Sequence, residues 1–334
     1  MKYLIYGEFW AGTLPDMLAK ELRDRKYEVN IFDYTEIVPG IKSRDFFGRI
    51  KRRLFSRLYD NRVNSELVDC INRLQPNIVL ISKGLNIKHK TLLSLRSKTK
   101  GLKIVNWNPD DFFNPKNSND NLLECFSSFD LIISSRPHLF EEYRQKGAQN
   151  IAFIDWYFIP EIHYIRDETY KYDMTFVGNW SPDREEFISK IGLPLTIWGG
   201  GWEYSSRKFR SYHTVHIGMI TQDEMSTIFA TSRFNLNMLT SENRDISNLR
   251  LFEVCASGGL LITERNESSM SYLDDGVDCL MYDSPSDIKA MLSDDKDFRL
   301  ISKKGYDRIT KEGHSFSDRV SLMIEKVNII SKAA

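Results

Sequence analysis

Two spacings of apolar residues take turns along this chain. Short runs dominated by apolar residues, at 2–6, 29–34, 78–82, 103–107, 131–135 and 151–158, read as buried strands. Between them, apolar positions recurring every three or four residues predict helices over 16–25, 67–74, 88–98 and 138–146. The second half repeats the alternation. Strands are predicted at 173–177, 195–198, 214–220, 234–239, 260–263 and 279–282, with helices at 185–191, 222–230, 285–292 and 297–311. A last helix opens at 314–319 and runs to 330. Strands that alternate with helices run parallel, because each crossover returns the chain to the same edge. The pattern therefore predicts an α/β protein with two doubly wound, Rossmann-like halves, joined by a polar, aperiodic linker over 160–170.

Length and charge narrow this picture. The 334 residues suffice for two domains with cores of their own. Lysine plus arginine and aspartate plus glutamate both number 46, so overall charge gives no reason to expect nucleic acid as a partner. Cys70, Cys125, Cys255 and Cys279 form no C-x-x-C pair and sit among apolar neighbours, as reduced core thiols do. No run of about 18 apolar residues occurs, and Met1-Lys-Tyr-Leu-Ile leads straight into a strand. A cytoplasmic protein is expected.

Residues 242–264 are the stretch around which the chain is organised. A polar opening turns at Ser247-Asn248 into a helix that stops at Gly258-Gly259, and the strand at 260–263 follows. Either Ser247 or Asn248 suits an N-cap. The first-turn amides would then form an anion site, with Arg250 adding charge and Glu253 within reach of a sugar hydroxyl. Any capped helix with one arginine and one glutamate offers as much.

Resemblance makes the reading more specific. Asp245 and Glu253 stand eight apart, like the acidic pair of retaining GT-B glycosyltransferases. Arg250-Leu-Phe-Glu253 and Ala256-Ser-Gly-Gly-Leu-Leu-Ile-Thr263 resemble the CgeB-like branch of that superfamily. The resemblance implies a GT-B fold, two Rossmann-like domains facing a central cleft. Its parts would be an acceptor domain at 1–160, a nucleotide-sugar domain at 171–313, and a final helix at 314–334 packing back on the first domain. It also implies a metal-independent enzyme, with no cofactor beyond a nucleoside diphosphate sugar as donor. His314 and Arg319 resemble the closing motif of the CgeB-like group and are expected to be structural.

Further segments carry candidate contacts. The turn Gly178-Asn-Trp-Ser-Pro-Asp-Arg184 offers a glycine for close approach and a Ser181 cap, and the resemblance gives Arg184 to phosphate; helix-start chemistry explains the same residues. Gly199 and Gly200 permit approach of a substrate or of a neighbouring loop. Ile217, Gly218 and Met219 resemble a segment beside the nucleobase, whereas His216 reads as structural. Asn237 lies on a strand and points toward the expected cleft. On the donor side, Asp245 and the amides of Ile246, Ser247 and Asn248 would face the sugar or its diphosphate. In the first half, Gly7, Trp10 and Gly12 form the loop after the first strand, which lacks G-x-G-x-x-G. Asp110 and Asp111 could supply an acceptor-activating base or merely cap a turn. Residues 42–62 carry eight basic side chains among regularly spaced apolar ones, which suits either a peripheral contact with an anionic membrane or a solvated helix face.

The expected function is transfer of a sugar from a nucleoside diphosphate sugar to a glycan or lipid-linked acceptor in bacterial surface polysaccharide synthesis, with Asp111, Asp245 and Arg250 as catalytic candidates. A silent GT-B domain that binds a nucleotide or a protein partner is the alternative.

Overall fold

The computed structural model describes residues 1–41, 46–166, 169–292 and 297–332. The chain divides into two compact units, Met1–Asp155 with Arg319–Ala334, and Trp156–Asp318.

The first unit is built on six parallel strands. They are β1 (Lys2–Gly7), β2 (Glu28–Asp33), β3 (Ile78–Ser82), β4 (Lys103–Asn108), β5 (Leu131–Ser134) and β6 (Ile151–Phe153), in the order β2-β1-β3-β4-β5-β6. Ile78–Ser82 is buried throughout, as a strand covered by helices on both faces must be. The sixth strand is shorter than the apolar run 151–158 predicts. It lies at the sheet edge and the chain leaves it at Ile154; Trp156 donates its indole N–H to the Ser247 carbonyl (3.1 Å) and Phe158 bridges to Ser315, both within the second unit.

The second unit repeats the plan with β7 (Tyr172–Val177), β8 (Thr196–Gly199), β9 (Thr214–Ile217), β10 (Ser232–Leu236), β11 (Leu261–Glu264) and β12 (Leu280–Tyr282), ordered β12-β11-β10-β7-β8-β9 and again parallel. Residues 160–166, within the expected linker, are tied to this unit: Arg166 donates to the Ser226 hydroxyl (2.7 Å), which itself donates to the Ile162 carbonyl (2.7 Å). All four cysteines are buried free thiols.

In a doubly wound sheet, ligands bind beyond the carboxyl ends of the strands where the winding reverses. The winding reverses between β1 and β3 in the first unit and between β7 and β10 in the second.

The basic stretch at 42–62 is two helices rather than one, Phe46–Leu54 and Ser56–Leu74, meeting at Phe55. Lys42, Arg44 and Asp45 lie outside the described residues.

His213 supplies a pH-sensitive element. It is buried, its Nδ1 accepts the Leu195 amide (3.2 Å), and burial pulls its pKa down from 6.5 to about 4. The unfolded chain binds this proton more readily, so stability is full above pH 6.5 and falls as pH drops from 6.5 toward about 4. A plot of Tm against pH for His213→Gln should lack this component of the wild-type slope. Parallel curves for the two proteins would refute it.

Candidate active site

At the reversal in the second unit, the segments leaving β7 and β10 and the start of helix Leu249–Ala256 come together. The β7 segment begins Gly178-Asn-Trp-Ser. Ser181 caps helix Pro182–Ile191 by accepting the Arg184 amide (3.3 Å), with Pro182 at the first helical position, as the local sequence predicts. That cap turns the Arg184 side chain back over the strand end. Its guanidinium donates to the carbonyls of Asn179 (2.8 Å) and Met238 (3.4 Å) and lies over the Phe176 ring.

The helix from Leu249 presents Arg250 to the same place. Its Nε donates to the Val177 carbonyl at the end of β7 (3.3 Å), and its Nη1 pairs with Glu253 one turn on. Glu253 is only 3 % exposed, so this carboxylate supports Arg250 from beneath rather than standing open to a ligand. Burial and then the charge of Arg250 lower the pKa of Arg184, while Asp245 acts in the opposite direction. Two guanidiniums are thus held near each other at one strand edge. Such a pair repels itself, and an anion between them would relieve the repulsion.

Beside Arg184 opens a cavity of about 320 Å³, lined by Ser181, Asp183, Met238–Ser241, Arg244, Asp245 and Glu264 among others. Arg244 holds a left-handed backbone (φ 46°), a conformation that non-glycine residues adopt at a cost. Glu264 accepts the Leu239 amide (3.1 Å) and so anchors the loop after β10.

Asn248 occupies the N-cap position, but its side chain does not cap the helix. Its amide donates instead to Asn237 Oδ1 (3.0 Å), and Asn237 donates in turn to the Thr263 hydroxyl (3.1 Å). Asn237 is therefore a strut joining β10, β11 and the helix start. Ser247 is buried, and its carbonyl accepts from Trp156.

The glycine run after β8 seats a neighbouring loop. Gly178 donates to the Trp198 carbonyl (2.9 Å), Gly200 donates to Asn179 Oδ1 (3.1 Å), and Trp180 donates to the Gly200 carbonyl (2.9 Å). Ile217 and Met219 are exposed where edge strand β9 ends, and Gly218 between them has φ 129°. His216 stacks on Trp198 (centroids 4.8 Å apart), a packing role.

In the first unit, Gly7 ends β1 and packs on Pro15, Trp10 is exposed, and Gly12 takes φ 84°. Asp110 pairs with Lys83 (2.9 Å). Asp111 is fully buried, and its carboxylate accepts the Phe113 amide (2.9 Å), the turn-capping arrangement that the sequence left open.

Sequence reading missed several groups here. Lys83, at φ 60° on the end of β3, faces Asp110; Tyr34 donates its hydroxyl to Glu8. In the second unit His163 places Nε2 3.9 Å from Glu253 and accepts the Ile159 amide at Nδ1 (3.0 Å). Burial lowers the pKa of His163, favouring the neutral ring. The one local sign of Lys83 was its position before Gly84 at a strand end; His163 had none.

Residues 184–325 match the family described as "Glycosyl transferase-like". Sucrose-phosphate synthase from Thermosynechococcus elongatus superposes over all of both chains with a TM-score of 0.72 at 12 % identity. The chain has the GT-B fold. Trehalose 6-phosphate synthase from Burkholderia multivorans shares it at a TM-score of 0.67 and 11 % identity, covering 99 % of this chain and 97 % of that one. Anabaena HepE, solved with UDP and glucose, does so at 0.66 and 10 %, covering 98 % and 99 %. No curated protein matches by sequence. The GT-B chain thus carries a glycosyl transferase-like domain over 184–325, the stretch that includes Arg184, Asp245, Arg250 and Glu253.

Proposed function

We propose that this GT-B protein transfers a sugar from a nucleoside diphosphate sugar to a glycan or lipid-linked saccharide, as a CgeB-like enzyme of bacterial surface polysaccharide synthesis. The observation that carries the reading is the pair of neighbouring guanidiniums, Arg184 and Arg250, at the strand reversal beside the cavity. A departing nucleoside diphosphate gains negative charge as the glycosidic bond breaks. Two fixed cations and the first-turn amides of helix Leu249–Ala256 meet that charge without a metal. Structures of HepE with UDP-glucose lend the donor class support.

Asp245, on the cavity wall, would face the transferred sugar, and Glu253 would hold Arg250 in place. Retention of anomeric configuration is the outcome we propose, on the resemblance of the Asp245 and Glu253 spacing to the acidic pair of retaining GT-B enzymes. The acceptor would meet the first unit around Gly7, Trp10, Gly12 and Asp110, with the enzyme on the inner membrane face through the basic stretch at 42–62. Asp111, buried beneath its turn, is set aside as the base.

A thermal-shift panel of UDP, GDP, dTDP and CMP tests the donor site. A ligand at a hundred-fold excess over its Kd stabilises the folded state by about 2.7 kcal/mol. One nucleoside diphosphate should raise Tm selectively, and Arg184→Ala should abolish the shift. No shift from any of the four would favour a silent domain with a protein partner, and a shift unaffected by Arg184→Ala would move the diphosphate elsewhere.

A further inference from the structure

The crossover from β2 to β3 carries apolar side chains that nothing among the described residues covers. Phe46 is 64 % exposed, Phe47 75 %, Leu54 70 % and Leu58 63 %, with Ile50 and Phe55 exposed as well. A helix on a protein surface normally turns such residues inward. Helix Phe46–Leu54 does the reverse, and Gly48 is its buried residue. The turn at Gly40 packs so closely on this helix that a Cβ there would stand 2.5 Å from the Arg49 nitrogen. The helix rests on the unit by its glycine face, which leaves the aromatic residues outside.

Charge tells what covers them. Arg49, Lys51, Arg52, Arg53, Arg57 and Arg62 interleave with these apolar residues, and between 46 and 62 Asp60 is the acidic residue. A second copy of the chain would bring the same cations face to face, whereas anionic lipid headgroups complement them. The helix has nine residues, and no described helix is long and apolar enough to cross a membrane. A short, strongly basic amphipathic helix lies in the plane of the interface.

We propose that the face formed by Phe46, Phe47, Ile50, Leu54, Phe55 and Leu58 inserts at the headgroup boundary of a bilayer rich in anionic lipid. Arg49, Lys51, Arg53 and Arg57 then contact lipid phosphates. The contact follows β2 and so begins at the carboxyl edge of the first sheet, the edge that carries the β1 loop, Lys83 and Asp110. This deepens the transferase reading and rests on it in one respect: a lipid-linked acceptor embedded in that surface would reach the sheet edge without leaving the bilayer.

Vesicle flotation of the full chain tests it, with phosphatidylcholine vesicles and with vesicles containing phosphatidylglycerol. Binding is expected only to the anionic vesicles and should weaken as salt rises. Each basic group near the surface contributes about five-fold to partitioning, so Arg49→Glu/Lys51→Glu/Arg53→Glu should lose on the order of a hundred-fold or more. Phe47→Ser/Leu54→Ser changes two exposed side chains, so the protein should keep its Tm and still lose flotation. The idea is overturned if wild type fails to float with anionic vesicles. It is equally overturned if both variants float like wild type, or if wild type forms a dimer that Phe47→Ser/Leu54→Ser dissolves while no vesicle binds. The nucleotide thermal shift of the wild type separates the two readings: a shift without flotation sinks the membrane face alone, and flotation without any nucleotide shift sinks the donor site alone.

Discussion

Replacing Arg250 by alanine should reduce turnover by about a hundred- to a thousand-fold, the loss seen when one preorganised donor to a developing oxyanion is removed. The side chain is 28 % exposed, close enough to solvent to meet a ligand, yet it is held by Glu253 and by the Val177 carbonyl, so it need not reorganise as charge develops. The same change removes the partner of a carboxylate that is almost fully buried. Breaking a buried pair costs about 3–5 kcal/mol. Water reaches Arg250, so the lower end of that range is the larger figure to expect. A fall in stability could by itself masquerade as lost catalysis, and a second variant separates the two. Arg250→Ala/Glu253→Gln removes the stranded charge and should recover much of the Tm while leaving kcat depressed. Full turnover in Arg250→Ala would sink the leaving-group role, and recovery of both Tm and kcat in the double variant would reduce Arg250 to a structural cation.

How far such groups could be read in advance depended on the range of their contacts. Buried parallel strands announce themselves as apolar runs, so all twelve strands were legible, although for all but Ile78–Ser82 at least one end was displaced. The cap at Ser181 with Pro182 was legible because its partners lie within three residues. Helices Asp120–Cys125, Arg207–Tyr212 and Glu267–Tyr272 were not, since six residues make fewer than two turns and show no period. Their caps, Asn119, Ser206 and Asn266, were the single local sign. The site divides the same way. Arg250 and Glu253 are neighbours on one helix, whereas the approach of His163 to Glu253 and of Asn248 to Asn237 joins segments that only the sheet order brings together. The exposed apolar face at 46–58 was the reverse case: the spacing showed a stripe, but only packing at Gly48 shows which way it points.

Gly199 is where long-range contact should be felt most sharply in stability. Gly199→Ala is expected to cost about 2–6 kcal/mol, the sum of a strained backbone and an overpacked contact at about 1–3 kcal/mol each. Its φ of 150° is one that residues with a Cβ rarely adopt. A Cβ would also fall inside contact with the Gly178 carbonyl oxygen and 2.6 Å from its carbon. That carbonyl cannot give way cheaply, because it accepts the indole N–H of buried Trp202 (2.8 Å). Gly178 begins the turn that carries Ser181 and Arg184, so any displacement passes to the guanidinium at the cavity. Gly200 is the control, since a Cβ there meets nothing nearer than Asn179 Oδ1 at 3.4 Å. Chemical denaturation of the two alanine variants, followed through the second unit, should show a large loss for Gly199→Ala and a change within about 0.5 kcal/mol for Gly200→Ala. Equal effects would mean that the glycines serve a flexible connector. A loss confined to Gly199→Ala, accompanied by weaker nucleotide binding, would show that the loop bearing Arg184 is positioned by the missing side chain of a residue on the neighbouring strand.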